Sequence, residues 1–227
     1  MNVLAFNGSP RRKGNTSVLL AELLRGVRDS GGEAQELVAQ DVNLKYCTGC
    51  LRCNIIRRCA LRGDEWGVLS EKILEADALV FASPVYFHHL TAPLKKIIDR
   101  FRSFIHVQIT PESIRHKPWQ PWNKRFVLLL CMGSSDDADA LPVIDLFKFM
   151  CGLLGPDNTL QVFSGARLAI AGQVTLPAGE LAVLYAKLGL PAGLAEQDCR
   201  HNQNLLQRCY DAGSALMAPG CDATQGA

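Results

Sequence analysis

The chain opens with a pattern that leaves few folds open to it. The apolar run Val3-Leu4-Ala5-Phe6 leads into Gly8-Ser9-Pro10-Arg11-Arg12-Lys13-Gly14-Asn15-Thr16-Ser17. Leu19, Leu20, Leu23, Leu24 and Val27 then recur at helical spacing until Gly31-Gly32 ends the helix. A strand almost without polar residues is one covered on both faces, as in a parallel sheet. Parallel neighbours need a crossover connection, so strands and helices are expected to alternate. They do so in the pattern. Strands are expected at Asn2 to Asn7, Glu33 to Ala39, Ala78 to Ala82 and Arg125 to Cys131, with a fifth at Leu160 to Ser164 or Leu168 to Val174. Helices are expected from about Thr16 to Ser30, over Glu65 to Ala76 with Asp64 as cap, and from Leu94 to about Phe104. Further helices fall at Asp139 to Leu154, Leu181 to Leu188 and Glu196 to Leu216. The fold class is therefore α/β, a doubly wound five-stranded parallel sheet in three α/β/α layers.

The turn after the first strand is read as a phosphate cradle. A helix N-terminus offers unpaired N–H groups and the positive end of the macrodipole. Ser9, Asn15, Thr16 and Ser17 add side-chain donors, and Arg11, Arg12 and Lys13 add positive charge. No Gly-Lys-Ser/Thr closes the turn and it lacks the G-x-G-x-x-G spacing, so neither a Walker A loop nor a dinucleotide turn is indicated. One phosphate, as in a mononucleotide, fits; an ordinary capped strand-to-helix turn is the plainer alternative. In such sheets ligands bind at the C-terminal strand ends. Ser83-Pro84-Val85-Tyr86-Phe87-His88-His89 and Met132-Gly133-Ser134-Ser135 fall at that same edge, as does a cysteine-bearing loop at about 40–63.

That loop holds Cys47, Cys50, Cys53 and Cys59, four of the chain's nine cysteines. Two x2 spacings in series can set three thiolates around one centre, with the fourth a few residues on. Arg52, Arg57, Arg58 and Arg62 surround them, which favours thiolates. Zinc and free thiols are the competing readings. Cys131, Cys151, Cys199, Cys209 and Cys221 are scattered and read as small buried hydrophobes. The segment 105–123, with His106, His116, Trp119 and Trp122, shows no clear period and reads as an inserted loop, either a lid or dimer contact or a loop packed on its own subunit.

Gly8-Ser9-Pro10-Arg11 with Gly14-Asn15-Thr16, and Ser83-Pro84-Val85-Tyr86-Phe87 continuing to Leu94-Lys95 and Ile98-Asp99-Arg100, together resemble the NADPH-dependent FMN reductase superfamily. The resemblance is good over residues 1–135 and loose beyond. It implies a flavodoxin-like fold and FMN as cofactor. By position, Ser9, Arg11, Asn15, Thr16 and Ser17 would hold the FMN phosphate, while Pro84, Val85, Tyr86 and Phe87 would border the ring and Gly133 would join the cofactor set. A Pro-x-aromatic loop supplies the flat apolar wall that a flavin needs; plain core packing is the alternative for Tyr86 and Phe87. His88 and His89 read as surface residues or a proton shuttle, and Asp99 with Arg100 as a structural ion pair. The cysteine spacing resembles the iron–sulfur flavoprotein branch of the superfamily. There Cys47, Cys50, Cys53 and Cys59 would bind a 4Fe–4S cluster, although Gly63-Asp64-Glu65-Trp66 departs from the sequence expected after the last cysteine.

These readings give a cytoplasmic FMN-dependent oxidoreductase passing electrons between flavin and cluster, with NADPH or NADH as possible donor. No side-chain acid, base or nucleophile is required. A cluster-free NAD(P)H-dependent FMN or quinone reductase, a non-enzymatic flavodoxin-like carrier and a zinc-stapled binding module are the alternatives. With 24 basic against 22 acidic residues, nothing points to nucleic acid. No apolar run is long enough for a membrane span. The first strand starts directly after Met1, so no signal peptide is expected. Partners would be a small molecule or a redox protein, and the resemblance implies a homodimer or homotetramer. Residues 1–217 are expected to form one domain, with 218–227 a frayed tail.

Overall fold

A computed structural model describes residues 1–218; the expected tail from residue 219 on, with Cys221, lies outside the described residues. In chain order the elements are β1 (Asn2–Asn7), α1 (Asn15–Asp29), β2 (Glu33–Val38), α2 (Cys53–Ile56), α3 (Trp66–Glu75), β3 (Ala78–Pro84) and α4 (Ala92–Arg100). Then come β4 (Ile105–Ile109), β5 (Ile114–Pro118), β6 (Arg125–Cys131), α5 (Leu141–Leu154), β7 (Thr159–Gly165), α6 (Ala178–Lys187) and α7 (Leu194–Leu216). Five strands form one parallel sheet in the order β2-β1-β3-β6-β7. Counting only these strands, the order is 2-1-3-4-5, the flavodoxin-like winding, with its switch point between β1 and β3.

The period-two alternation of each strand divides the core in two. Leu4, Phe6, Leu79, Phe81, Phe126 and Leu128 pack with α3, α4 and α5. Val3, Ala5, Val80, Val127 and Leu129 pack with the leucine stripe of α1 and with Leu205 and Cys209 of α7. Helices α1 and α7 approach until a Cβ on Gly26 would lie 2.1 Å from the Tyr210 carbonyl oxygen, and one on Gly213 1.9 Å from that of Leu23. Larger side chains would push the helices apart.

Several expectations are corrected. The segment 105–123 contains the antiparallel hairpin β4–β5, not an unstructured loop. The fifth strand of the sheet is β7, close to the first of the two candidates, and residues 168–174 form a loop instead, which tightens into a 3-10 turn at Gln173–Thr175. Helix α4 ends at Arg100 and tightens into a 3-10 turn over Phe101–Phe104. The cysteine loop contains the short helix α2, which the pattern did not indicate. Arg100 does not pair with Asp99. It turns inward and meets Asp64 at 2.5 Å, with both side chains at or below 1% exposure, while Asp99 pairs with Lys95 on the surface. Asp64 lies one residue before the N-cap of α3, yet still accepts the Trp66 N–H at 3.2 Å.

Candidate functional site

A cleft of about 250 Å³ opens at the C-terminal edge of the sheet, over the switch point. One wall is the cradle, through Ser9, Arg11, Gly14, Asn15 and Thr16. The opposite wall is Pro84, Val85 and Tyr86, carried on the end of β3. Cys131 and Gly133 come from the end of β6, and Leu168 and Ala169 from the loop after β7.

The cradle is folded by its own short side chains. Ser9 Oγ accepts the Arg11 N–H at 3.1 Å and donates to the Arg11 carbonyl at 3.1 Å. Gly14 is the N-cap of α1 and has no side chain to cap with. The first amide to bond back is that of Val18, to the Gly14 carbonyl at 3.0 Å. The N–H groups of Asn15, Thr16 and Ser17 therefore have no acceptor among the described residues. These are the orphan donors of a helix N-terminus, and here they lie at a cleft.

The side chains take roles that the sequence did not show. Both amide hydrogens of Asn15 are used, on the carbonyls of Leu168 at 2.9 Å and Ile170 at 2.8 Å. Its Oδ1 accepts the Val174 N–H at 3.0 Å. Asn15 thus fastens the cradle to the 168–174 loop and offers the cleft only its backbone. Arg11 donates to the Ala169 carbonyl at 2.8 Å and draws the same loop in. Burial pushes the Cys131 thiol up to about 12, against a smaller opposing effect of the neighbouring Thr16 hydroxyl. That thiol is neutral at any physiological pH.

Two residues of the expected cofactor set lie outside the cleft lining, Ser17 and Phe87. Ser17 faces away, donating to the Arg11 carbonyl at 3.0 Å and accepting from Asn7 at 3.0 Å. Phe87 is fully exposed, at 101%. It sits with His88 at the centre of a tight turn in which Tyr86 and His89 exchange both backbone hydrogen bonds, at 2.9 and 3.0 Å. Phe87 and His88 have φ of +49° and +59°. Such a turn ordinarily takes Asn-Gly. His88 Nδ1 lies 3.4 Å from Asp139 Oδ1, so its exposed ring has a carboxylate neighbour.

Cys131, Gly14, Leu168 and Ala169 line the cleft without having been singled out for it. The apolar run Leu168-Ala169-Ile170 was the only sequence signal for the last two, and it read equally as a strand.

Cys47, Cys50, Cys53 and Cys59 line one hollow, together with Arg100, Arg102 and Ser103. None of the other described cysteines does. The Cys50 thiol is held below its usual range, chiefly by the Arg52 backbone N–H, despite a smaller opposing effect of desolvation. Burial raises Cys53, partly offset by Arg102, whose Nη1 lies 3.5 Å from the sulfur. Among the described residues no group of three His, Cys, Asp or Glu side chains stands close enough to hold a metal ion. Arg100 Nε is the one buried side-chain nitrogen or oxygen without a hydrogen-bond partner among the described residues. A buried orphan donor on a residue of the hollow's wall suits an anionic sulfur acceptor. By donor chemistry the hollow fits a thiolate-ligated centre. By volume, at about 20 Å³, it must open to admit one.

Known proteins resemble this chain in sequence and in fold. The sequence profile of the family described as NADPH-dependent FMN reductase matches residues 1–157. An iron-sulfur flavoprotein of Methanocaldococcus jannaschii is 37% identical over 102 residues, which are 45% of this chain and 52% of that one. The chain thus spans about half the length of the curated relatives it matches first. A Bacillus subtilis protein named as an NAD(P)H-dependent FMN-containing oxidoreductase is 24% identical over 68% of this chain and 80% of its own. Among solved structures, the NAD(P)H:quinone oxidoreductase from Methanothermobacter marburgensis aligns with a TM-score of 0.61 at 16% identity. That alignment covers 97% of this chain and 98% of the other, a likeness of fold.

Proposed function

Since the chain belongs to the NADPH-dependent FMN reductase family, we propose that it binds FMN in the cleft at the sheet edge and acts as an NAD(P)H-dependent flavin oxidoreductase. The observation that carries this reading is the row of unpaired amides at Asn15, Thr16 and Ser17, opposite a wall of Pro84, Val85 and Tyr86. The amides, with the positive end of α1 and the Arg11 guanidinium, bind a phosphate. Pro84, Val85 and Tyr86 present the flat apolar surface against which a ring is oriented, and Gly133 leaves room beside it. When bound, the flavin supplies the hydride and single-electron chemistry. Residues 1–217 are taken as one FMN-binding unit.

The finer reading is of the iron–sulfur flavoprotein type. Cys47, Cys50, Cys53 and Cys59 would hold a 4Fe–4S cluster, which would supply one-electron steps. The named relatives and the undivided use of all four thiols in one hollow support it. A cluster-free NAD(P)H-dependent FMN or quinone reductase is the second reading, favoured by the small volume of the hollow. A flavodoxin-like carrier without enzymatic activity is the third. A cytoplasmic setting goes with reduced thiols, and no described helix is long and apolar enough to cross a membrane. A homodimer or homotetramer belongs to the same proposal, as does a small molecule or redox protein as electron partner.

Anaerobic purification followed by a visible spectrum with flavin, iron and sulfide analysis tests both levels. Flavin with about four iron and four sulfide per chain is expected. Flavin without iron leaves the reductase and removes the cluster; absence of flavin overturns the whole reading. Steady-state oxidation of NADH and NADPH then separates a reductase from a carrier.

A further inference from the structure

A second cavity, of about 210 Å³, lies next to the thiol hollow and shares Cys59 and Ser103 with it. All three tryptophans of the chain, Trp66, Trp119 and Trp122, line it. Their positions are fixed. Trp66 Nε1 donates to Ser103 Oγ at 3.1 Å and Trp119 Nε1 to the Ser103 carbonyl at 3.2 Å. The Trp122 N–H donates to the Leu154 carbonyl at 2.9 Å, and a Cβ on Gly155 would lie 2.2 Å from the Trp122 carbonyl oxygen. With the indole nitrogens of Trp66 and Trp119 engaged on Ser103, neither offers the cavity a hydrogen-bond donor. Trp66 and Trp122 are buried and form its floor, while Trp119 is half-buried and forms a wall.

The remaining polar character is positive. Arg57 and Arg58 stand at this cavity, exposed, and neither has a carboxylate partner among the described residues. Arg57 lies 5.3 Å over the Trp119 ring, with φ of +54° at the end of α2. No acidic side chain is among the described lining residues. A guanidinium held over an indole beside a cavity of aromatic planes is a recognition surface for a flat ring bearing a negative group. Nothing in the proposed FMN chemistry uses it.

We propose that this cavity binds a planar aromatic anion of one or two rings, lying against Trp119 over a floor formed by Trp66 and Trp122, with its charge at Arg57 and Arg58. A ring bound there lies against Cys59, and the site stands whether or not the thiols hold a cluster. No tryptophan lines the flavin cleft, so the indole N–H signals report this cavity independently of FMN binding.

The test is titration of the whole protein, with FMN present, by 2-naphthoate and by its neutral counterpart 2-naphthamide, read on the three indole N–H resonances of 15N-labelled protein. Saturable shifts with naphthoate are expected, with naphthamide about tenfold weaker. In the double variant Arg57→Gln/Arg58→Gln, naphthoate should fall to the naphthamide level while naphthamide is unchanged. Both arginines are exposed, and unmoved Trp66 and Trp122 indole signals in the free variant verify its fold, whereas Trp119 shifts because it loses Arg57 from its face. Three results would overturn the proposal: no saturable shift, equal binding of the two probes by the unmodified protein, or a charge preference that survives in the double variant.

Discussion

Arg100 is the most expensive side chain in the interior. It is 1% exposed and its charge is met by Asp64 at 2.5 Å and by the Lys45 carbonyl at 2.8 Å. Burial alone would raise the Asp64 carboxyl, but the hydrogen bonds from Arg100, from the Lys45 amide and from the Trp66 amide outweigh it, and the group is held below its usual range. The stability this pair contributes is therefore present above the unfolded carboxyl value and is lost as pH falls through the lower folded one. Asp64→Asn is expected to destabilise by about 3–5 kcal/mol near neutrality, because it leaves a buried guanidinium uncompensated. Urea unfolding at a series of pH values checks it. The gap between the two proteins should close in acid and stay constant above about pH 5.

Asn15 carries a second expectation at this scale. A carboxylate there would face the carbonyls of Leu168 and Ile170 that the amide now satisfies. Asn15→Asp should lower flavin-free stability by roughly 2 kcal/mol or more, seen as a lower melting temperature before any FMN is added. An unchanged melting temperature would count against the bracing role. The residue types at the cradle were legible; their directions were not, because Asn15 acts on residues more than 150 positions away. The Asp99–Arg100 reading failed for a local reason. Adjacent positions on a helix point about 100° apart and do not face each other.

At the level of elements, legibility followed burial. Strands β1, β3 and β6 are covered on both faces, and their sequences are nearly unbroken apolar runs. Strand β7 lies at the sheet edge and buries only Phe163 and Gly165, so its pattern was no stronger than that of the 168–174 loop. The hairpin β4–β5 is mostly exposed and polar, with His106, Gln108, Arg115, His116 and Lys117 along it. Strand β4 alternates, Ile105-His106-Val107-Gln108-Ile109, but its partner Ile114-Arg115-His116-Lys117-Pro118 does not, and a single alternating run of five residues is a weak signal for a hairpin. The turn over Tyr86 to His89 is the element most at odds with its own sequence, since Phe87 and His88 occupy left-handed conformations. Replacing them together with Asn-Gly should stabilise the protein by about 1–3 kcal/mol, measured by thermal melting. A strained turn kept for a purpose would show at the same time as weaker FMN binding; a gain in stability with unchanged affinity would make the strain incidental.

For the molecule as a whole, the sheet order places the cradle, the Pro84–Tyr86 wall and the β6 turn on one edge, and this convergence was legible because the winding rule follows from parallel strands alone. The aromatic cavity and the path of the 168–174 loop were not, since they depend on how non-adjacent segments fold back. Binding that favours the folded state raises stability by mass action. FMN at a hundredfold excess over its dissociation constant should therefore add about 2.7 kcal/mol. That corresponds to a rise of several degrees in melting temperature for a chain of this size, measured by calorimetry. No shift on adding FMN would argue that the cleft is not its site.

The tie between Asn15 and Val174 also has a meaning in time. The two residues stand 159 positions apart, so at a synthesis rate of about 5–20 residues per second the first must wait roughly ten to thirty seconds for the second. A nascent chain carries the cradle's residues long before residues 168–174 are made, and without that loop they remain an open turn. The braced cradle is thus a product of late translation, and a chain that stalls between strands β6 and β7 would emerge without it.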